Sequence, residues 1–411
     1  MNRATLTATC ALLVAGILVL AVPVRAGGDA RALGMGGTCT AAARGLDAAD
    51  ANPAFLAFSR GVTVGLAGGT IDLQNNAFTL GRYNQVAGAT LSEADKAELL
   101  ADIPAEGFGL DLQADAGALG LQSGAFALTT GAVGAGDGTL DRDFFDLVLF
   151  GNEPGRTVDF SGTGGEAYGL VRAGLSWGWR LGEVGGGELA VGATGSVIRG
   201  LYHVQVVEAW GAVTTTMSAI DGEAFAAAVV AEGGAGYGLD LGLAWQGGRL
   251  ALGAALDNAI SRIDWNGTVE RTEYRVGLSA SASDLDDALA DSDTTYAVAG
   301  YATGLPRRLR LGGAMDLGAL TLAADWVQGL EERAGTSTEP MVRVGAEWRP
   351  FGLLTPRLGA ALGGGLDPGL AAGLGLKAGF WCLDVAALQR GGLGADRGKG
   401  LGVGASTRFV F

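Results

Sequence analysis

The sequence predicts an all-β protein whose strands close into an antiparallel transmembrane barrel. Segments of about ten residues alternate apolar with small or polar residues between turn signals, a pattern typical of such barrels. Glycine supplies 73 of 411 residues, more than twice the usual fraction of about 7%. The mean hydropathy is +0.30 without the helical periods expected of so apolar a soluble protein. A closed barrel pairs every backbone polar group in lipid, and lumen-facing glycines leave room for an inserted segment.

The strand candidates number about 14 to 16, and barrels of this kind have even strand numbers. In the first candidate, Val62, Val64 and Leu66 point outward, and Gly247-Gly248 predicts a tight hairpin turn later in the chain. Residues 260–304 are ambiguous. The candidates lie near residues 62–66, 110–116, 126–133, 171–179, 187–207, 213–229, 234–246, 249–259, 271–278, 309–315, 320–326, 341–350, 355–363, 369–378, 380–389 and 401–411.

Two connections contain helical patterns. Ser92 can cap a helix with Asp95 three residues later, and this helix should end before Pro104. Residues 134–165 form a long loop with a short helix predicted at Asp141–Leu149. The first helix has two interpretations, a lid or partner-binding element and a folded connection, and we favour the connection.

The two ends of the chain predict export and assembly. Arg3, the apolar stretch Ala11–Val22 and Val24-Arg25-Ala26 match a signal peptide of residues 1–26. An uncleaved anchor is the alternative, but a spanning helix needs roughly 20 apolar residues. Alternate residues from Leu401 to Phe411 are mostly apolar. This strand resembles the closing strand of bacterial outer-membrane barrels, which implies that Phe409 and Phe411 form a signal read by the barrel assembly machinery.

Residues 27–60 are rich in Ala and Gly and do not alternate. They contain Gly34-Met35-Gly36-Gly37 and Asn52-Pro53-Ala54. Alone, Asn-Pro predicts an ordinary turn. Together the motifs resemble the N-terminal plug of FadL-type long-chain fatty acid transporters and of PorV-type outer-membrane proteins. The resemblance implies a plug of residues 27–60 in the lumen of a barrel formed by residues 61–411, with about 14 strands.

Charged residues at inward-facing strand positions form a second candidate site. Their signs are mixed, so neighbouring strands can pair them. Buried charges are costly unless they are paired or hydrated. The charges therefore form either a network that holds the plug, which we favour, or a polar pore lining. The principal residues are Arg172, Arg308, Arg310, Asp325, Arg343, Glu347 and Asp384.

Composition disfavours several other functions. The net charge of −15 argues against binding nucleic acid. His203 is the only histidine, and no catalytic set, metal site or cofactor site is predicted, because a zinc site would need several Cys or His ligands. If the N-terminal segment lies in the lumen, Cys39 and Cys382 are candidates for a disulfide in an oxidising compartment.

Two functions remain open, and a purely structural barrel is a third alternative that also stays open. In the first, the protein is a FadL-like passive transporter of a hydrophobic small molecule, which would bind at an apolar loop site that includes Phe144, Phe145 and Phe150. In the second, it is a PorV-like scaffold whose loops hold secreted proteins. In both, the protein lies in the lipid of a Gram-negative outer membrane and is not an enzyme. The transport function is slightly favoured.

Overall fold

A computed structural model describes residues 29–151, 154–216, 219–281, 289–392 and 394–411. The predicted signal peptide, residues 1–26, lies outside the described residues. No helix within these ranges combines the length and the apolar character needed to cross a membrane.

The described residues form one antiparallel sheet that closes on itself. Its strands are β1 (Val62–Asn75), β2 (Phe108–Ser123), β3 (Phe126–Leu140), β4 (Thr157–Asp159), β5 (Gly164–Val184), β6 (Gly187–Thr215), β7 (Ala219–Gly247), β8 (Leu250–Trp265), β9 (Val269–Ser281), β10 (Leu289–Ala297), β11 (Tyr301–Thr303), β12 (Arg308–Asp316), β13 (Leu320–Gly329), β14 (Met341–Trp348), β15 (Leu354–Gly363), β16 (Leu366–Ala378), β17 (Trp381–Arg390) and β18 (Gly400–Val410). Strand β1 pairs with β2 on one side and with β18 on the other, which closes the barrel. Within the described residues, 14 strands form the wall, as predicted, and β4, β9, β10 and β11 extend it at one end.

The barrel wall is apolar outside and small or polar inside, the reverse of a water-soluble protein. On β5, Leu175 and Trp179 are 62% and 59% exposed, whereas Ser176 between them is fully buried. Several exposed aromatic residues lie at the end of the barrel where the strands are joined by short turns, namely Phe126, Trp177, Trp179, Trp348, Phe380 and Phe411, whereas Tyr83, Trp210, Tyr237 and Tyr296 are exposed elsewhere. An apolar belt edged by aromatic rings suits the boundary between lipid and water.

The two ends of the barrel differ in their connections. At one end, termed the short-turn end, successive strands are joined by brief turns such as residues 184–187, and Phe411 bonds Val62 through the backbone. At the other end, termed the long-loop end, the connections include residues 76–107 and 141–163. Outer-membrane barrels have short periplasmic turns and longer extracellular loops. We therefore expect the long-loop end to face outside.

Helices occur in the N-terminal segment and in the connections. They are α1 (Ala30–Gly34), α2 (Ala48–Ala51), α3 (Leu80–Val86), α4 (Glu93–Asp102) and α5 (Arg142–Phe150), with 3₁₀ turns at Gly45–Asp47, Pro53–Phe58 and Ala395–Arg397. The predicted capping box of α4 is confirmed, because Ser92 and Asp95 bond each other's backbone N–H groups. Helix α5 matches its prediction within one residue. Helix α3, capped by Thr79, was not predicted.

Most strands are longer than predicted, and the prediction of a loop over residues 134–165 is wrong at both ends, because β3 runs to Leu140 and β5 begins at Gly164. Two further predictions fail in pattern. The predicted alternation of outward-facing residues in β1 is interrupted at Leu66, because the pairing of β1 with β18 shifts register between Gly65 and Ala67. The prediction of separate strands at 213–229 and 234–246 is wrong, since β7 runs unbroken beside β6. Local alternation does not reveal where a strand rises beyond the lipid and continues in water.

Candidate functional site

The N-terminal segment, Asp29–Phe58, packs against the inner face of the barrel. Met35, Phe55 and Leu56 are completely buried. Their apolar cluster includes small wall residues, Ala127, Ala244, Ala251, Ala314 and Ala323. Small wall side chains leave the space that the larger side chains of the segment occupy.

The Gly34-Met35-Gly36-Gly37 motif ends α1 and reverses the chain. The Met35 N–H donates to the carbonyl of Ala32 at 2.9 Å. Gly36 and Gly37 adopt φ angles of +69° and +87°, which residues with a Cβ rarely adopt. A Cβ on Gly36 would also lie 2.6 Å from the backbone nitrogen of Ala360. The motif thus permits both the reversal and the close approach to the wall.

Wall glycines allow the same close approach around much of the barrel. They form a glycine belt of Gly178, Gly192, Gly242, Gly253, Gly312, Gly345, Gly359 and Gly373, on β5, β6, β7, β8, β12, β14, β15 and β16. A Cβ on any of them would fall within 3.0 Å of an atom of the N-terminal segment. On Gly192 it would lie 2.3 Å from the Ala54 nitrogen. The backbone of the segment therefore lies directly against the backbone of the wall.

Asn52 of the Asn52-Pro53-Ala54 motif joins the segment to two strands. It is fully buried, and its Oδ1 accepts from the Ala54 N–H at 3.1 Å. Its Nδ2 donates to the carbonyls of Leu243 at 3.1 Å and Ala254 at 3.2 Å. The sequence motif indicated a turn, and the structure adds the bonds to the wall.

Asp325 binds the segment through a single oxygen. Its Oδ2 accepts from the backbone N–H groups of Cys39 at 2.8 Å and Thr40 at 2.9 Å, and from Thr40 Oγ1 at 2.9 Å. The carboxylate is 3% exposed. Buried charge is tolerated here because several donors converge on it.

A chain of ion pairs connects α1 with the 3₁₀ turn at Gly45–Asp47. Glu347 accepts from Arg31 at 2.7 Å and from Arg357 at 2.8 Å. Arg357 reaches Asp384 at 2.6 Å. Arg408 then bonds Asp384 at 2.8 Å and Asp47 at 2.7 Å. Arg357 was missed by the sequence analysis, although its parity within β15 placed it inward.

The remaining predicted lumen charges lie on other strands. Arg172 pairs with Asp50 of the segment at 2.5 Å. Arg308 and Arg310 both bond Asp257, at 3.0 and 2.5 Å. Arg343 differs, because it donates to the carbonyl of Gly37 at 3.3 Å and forms no ion pair within the described residues.

The candidate disulfide is not formed, since Cys39 and Cys382 are both free thiols. Cys39 lies in the N-terminal segment, where its Sγ is 3.3 Å from Arg310 Nη1. Cys382 lies on β17 opposite Arg408 of β18. The alternation of residues along the strand correctly predicted that Cys382 faces the lumen. It could not predict the position of Cys382 along the barrel axis relative to Cys39.

A cavity of about 360 Å³ lies between the segment and the long-loop end. Polar groups that line it include Asp115, Tyr168 and Arg308, and apolar ones include Leu170 and Val133. Its lining is thus mixed, not uniformly apolar.

The same cavity borders an irregularity in the wall. Pairing of β2 with β3 shifts register between Gly117 and Leu121. Within this stretch Leu119 has a φ angle of +49° and is 69% exposed. Thr130 of β3 donates its hydroxyl to the Leu119 carbonyl at 3.0 Å. This stretch, residues 117–121, is termed the wall break, and its residues 117–120 line the cavity.

Two of the three rings predicted to form an apolar loop site belong to a larger aromatic cluster. Phe144 and Phe145 pack edge to face at 5.6 Å. They extend into a cluster with three rings that the sequence analysis missed, Phe78, Phe108 and Phe160. Phe150, on the same helix, makes no ring contact within the described residues. Phe78 lies in the connection 76–107 and Phe108 begins β2, whereas Phe160 lies in the same connection as Phe144, residues 141–163. Sequence proximity therefore could not group Phe78 and Phe108 with the ring pair.

No protein-family model matches the sequence, and no curated protein matches it. Among solved structures, the chain is similar to the P. putida toluene transporter TodX, with 13% identity, a TM-score of 0.52 and 92% and 97% of the two chains covered. A TodX deltaS2S3 mutant is 13% identical, with a TM-score of 0.54 and with 95% of this chain and 100% of that chain covered. The CymD monoaromatic hydrocarbon channel is 13% identical, with a TM-score of 0.53 and with 92% of this chain and 96% of that chain covered. None of these three is of the PorV type, so that part of the resemblance stays a prediction. This chain has the fold of the FadL-type outer-membrane hydrocarbon transporters.

Proposed function

We propose that this protein is an outer-membrane channel for the passive transport of a hydrophobic small molecule. The observation that carries the proposal is the cavity between the N-terminal segment and the long-loop end, which borders the wall break. The proteins of similar fold are described as a toluene transporter and a monoaromatic hydrocarbon channel, which supports the same class of ligand. No specific observation favours the PorV-like scaffold.

The proposed path has three parts. Ligand leaves water at the aromatic cluster around Phe144 and Phe145, because transfer of apolar surface out of water is favourable. It then occupies the cavity. The N-terminal segment acts as a plug that closes the direct route to the short-turn end, so ligand leaves through the wall break at Leu119 into lipid.

Export and assembly complete the proposal. Residues 1–26 would direct export and be removed. Phe409 and Phe411 would be read by the barrel assembly machinery. Both rings pack against Phe380, with centroids at 5.3 and 5.6 Å, so recognition would come before this packing forms.

Uptake of labelled toluene and of a labelled long-chain fatty acid by cells tests the function. Cells producing the protein should take up one of them faster than cells without it. Replacing Phe144 and Phe145 by Ser should lower that uptake, whereas Phe351→Ser, at an exposed ring of the short-turn end, should not. Equal uptake of both compounds with and without the protein would refute transport of these ligand classes.

A further inference from the structure

The connection between β13 and β14, residues 330–340, folds into the mouth of the barrel. We term it the strap. Ala334 at its centre is fully buried, and Gly335 and Thr336 line the cavity. A Cβ on Gly335 would lie 3.0 Å from the Cβ of Ala135 on β3. Because β3 is far from β13 and β14 in the strand order, the strap crosses the lumen above the cavity.

Arg333 fastens the far side of the strap, and the Ala334 N–H adds a longer bond to Glu166 Oε2 at 3.5 Å. Arg333 Nε donates to Glu166 Oε2 at 3.1 Å, and its Nη2 donates to Glu166 Oε1. Its Nη1 donates to the carbonyl of Gly304 at 2.9 Å. The guanidinium and the carboxylate thus form a two-point pair, the strongest geometry for such ions.

Glu166 is itself held in place by the only histidine of the chain. His203 Nε2 lies 2.9 Å from Glu166 Oε1, and its Nδ1 lies 2.6 Å from the hydroxyl of Tyr301. His203 is 2% exposed and stacks on Trp265 with ring centroids 5.7 Å apart. The wall side of the contact is therefore rigid, and Arg333 is the part that can leave.

The strap buries little apolar surface against the rest of the barrel. Ala334 is its one side chain in the apolar cluster with Tyr168, Leu170 and Trp265. Glu332, Thr338 and Glu339 are exposed. Segments with few buried apolar contacts open at low free-energy cost. The ion pair is therefore the main attachment across the lumen.

We propose that the strap is a lid on the cavity and that the Arg333–Glu166 pair is its latch, which must break before a ligand can pass from the long-loop end into the cavity. The role of the lid in transport rests on the proposed function. Opening of the lid is a property of the protein that can be measured without any transported ligand.

Cys39 provides the measurement, because it lies in the cavity lining beneath the strap. In a Cys382→Ser background, intact cells are treated with a charged, membrane-impermeant maleimide, which cannot reach the cavity through lipid. Arg333→Met should raise the rate of Cys39 modification several-fold. Arg275→Met, which removes an exposed ion pair with Glu223 at 3.2 Å, should leave the rate unchanged.

A second variant covers the case in which Arg333→Met does not fold, as judged by the gel mobility of the unheated barrel. Arg333→Lys keeps the charge but loses the two-point pair, and it should give an intermediate rate. Cys39 modification as slow in Arg333→Lys as in the parent would overturn the lid. If the rates respond as expected while no uptake of toluene or fatty acid is found, the lid stands and the proposed transport function fails.

Discussion

The Cα of Gly359 lies so close to Met35 that a Cβ there would be 2.1 Å from the Met35 carbonyl carbon. The contact joins β15 to the turn after α1, and equivalent contacts recur around the glycine belt. Docking of the N-terminal segment therefore depends on the absence of side chains at these positions of the wall.

Gly359→Ala should destabilise the protein by about 1–3 kcal/mol, the usual cost of overpacking. The wall and the segment are both backbone at this point, so neither can move aside cheaply. Gly195→Ala is the matched control, because a Cβ there would meet no atom within 4 Å. The temperature at which the barrel loses its compact gel mobility measures the effect. Equal transition temperatures for the two variants would contradict the belt.

Asp325→Ala should release the N-terminal segment around Cys39 and Thr40. The substitution leaves buried donors without an acceptor, at a cost of roughly 1–3 kcal/mol for each. Asp293→Ala, at an exposed carboxylate on β10, is the control. Denaturant unfolding and proteolysis of the segment measure the loss. A segment that stays protease-resistant in Asp325→Ala would show that this carboxylate is dispensable.

Deleting Leu66 and Leu119 together should close the wall break. The two residues stand opposite each other between the pairs Gly65–Gly120 and Ala67–Ala118. Each is an extra residue relative to the next strand, β18 or β3. The double deletion restores both ladders, so the barrel should fold while ligand uptake falls. Thr130→Val, which removes only the hydroxyl's bonds to the Ala118 and Leu119 carbonyls, serves as the milder comparison. Undiminished uptake in a folded double deletion would exclude the break as the exit.

The turn of the strap should loosen in acid. Burial raises the pKa of Glu332, but hydrogen bonds from the Thr338 N–H at 2.8 Å and Oγ1 at 2.9 Å outweigh it, and the pKa lies below its usual 4.5. A carboxyl group whose pKa is lower in the folded state than in the unfolded state stabilises the fold. This stabilisation is complete at pH values above the unfolded pKa and is lost as the pH falls through the folded pKa. Amide exchange at Thr338 should therefore gain extra protection as pH rises to 4.5.

The matched variants for this pH effect are Glu332→Gln and Glu339→Gln. Glu332→Gln should remove the pH-dependent protection of Thr338, because the amide does not titrate. Glu339→Gln, at an exposed neighbour, should keep it. Loss of the pH dependence in both variants, or in neither, would assign it to another group.

The sequence identified several residues of the proposed ligand path but did not show which of them lie together in the folded protein. Phe144 and Phe145 stood out as adjacent apolar residues in a polar loop. Only folding brings Phe78 of another connection, Phe108 of β2 and the more distant Phe160 of the same connection against them. The strap could not be predicted from the sequence, because Glu332 and Arg333 have the character of ordinary charged loop residues. The partner of Arg333 is Glu166, which lies far away in the chain.

The sequence by itself determined the barrel, the outward apolar face, the closing strand and the motif of the N-terminal segment. These features are local, because lipid imposes the same alternation on every strand. The tertiary structure decided which lumen charges pair, where the wall breaks and what covers the cavity. Those outcomes depend on the stagger between strands, which sets the height of Arg357 against Glu347 and Asp384. A shift of one residue would turn each of these side chains to the other face of the wall.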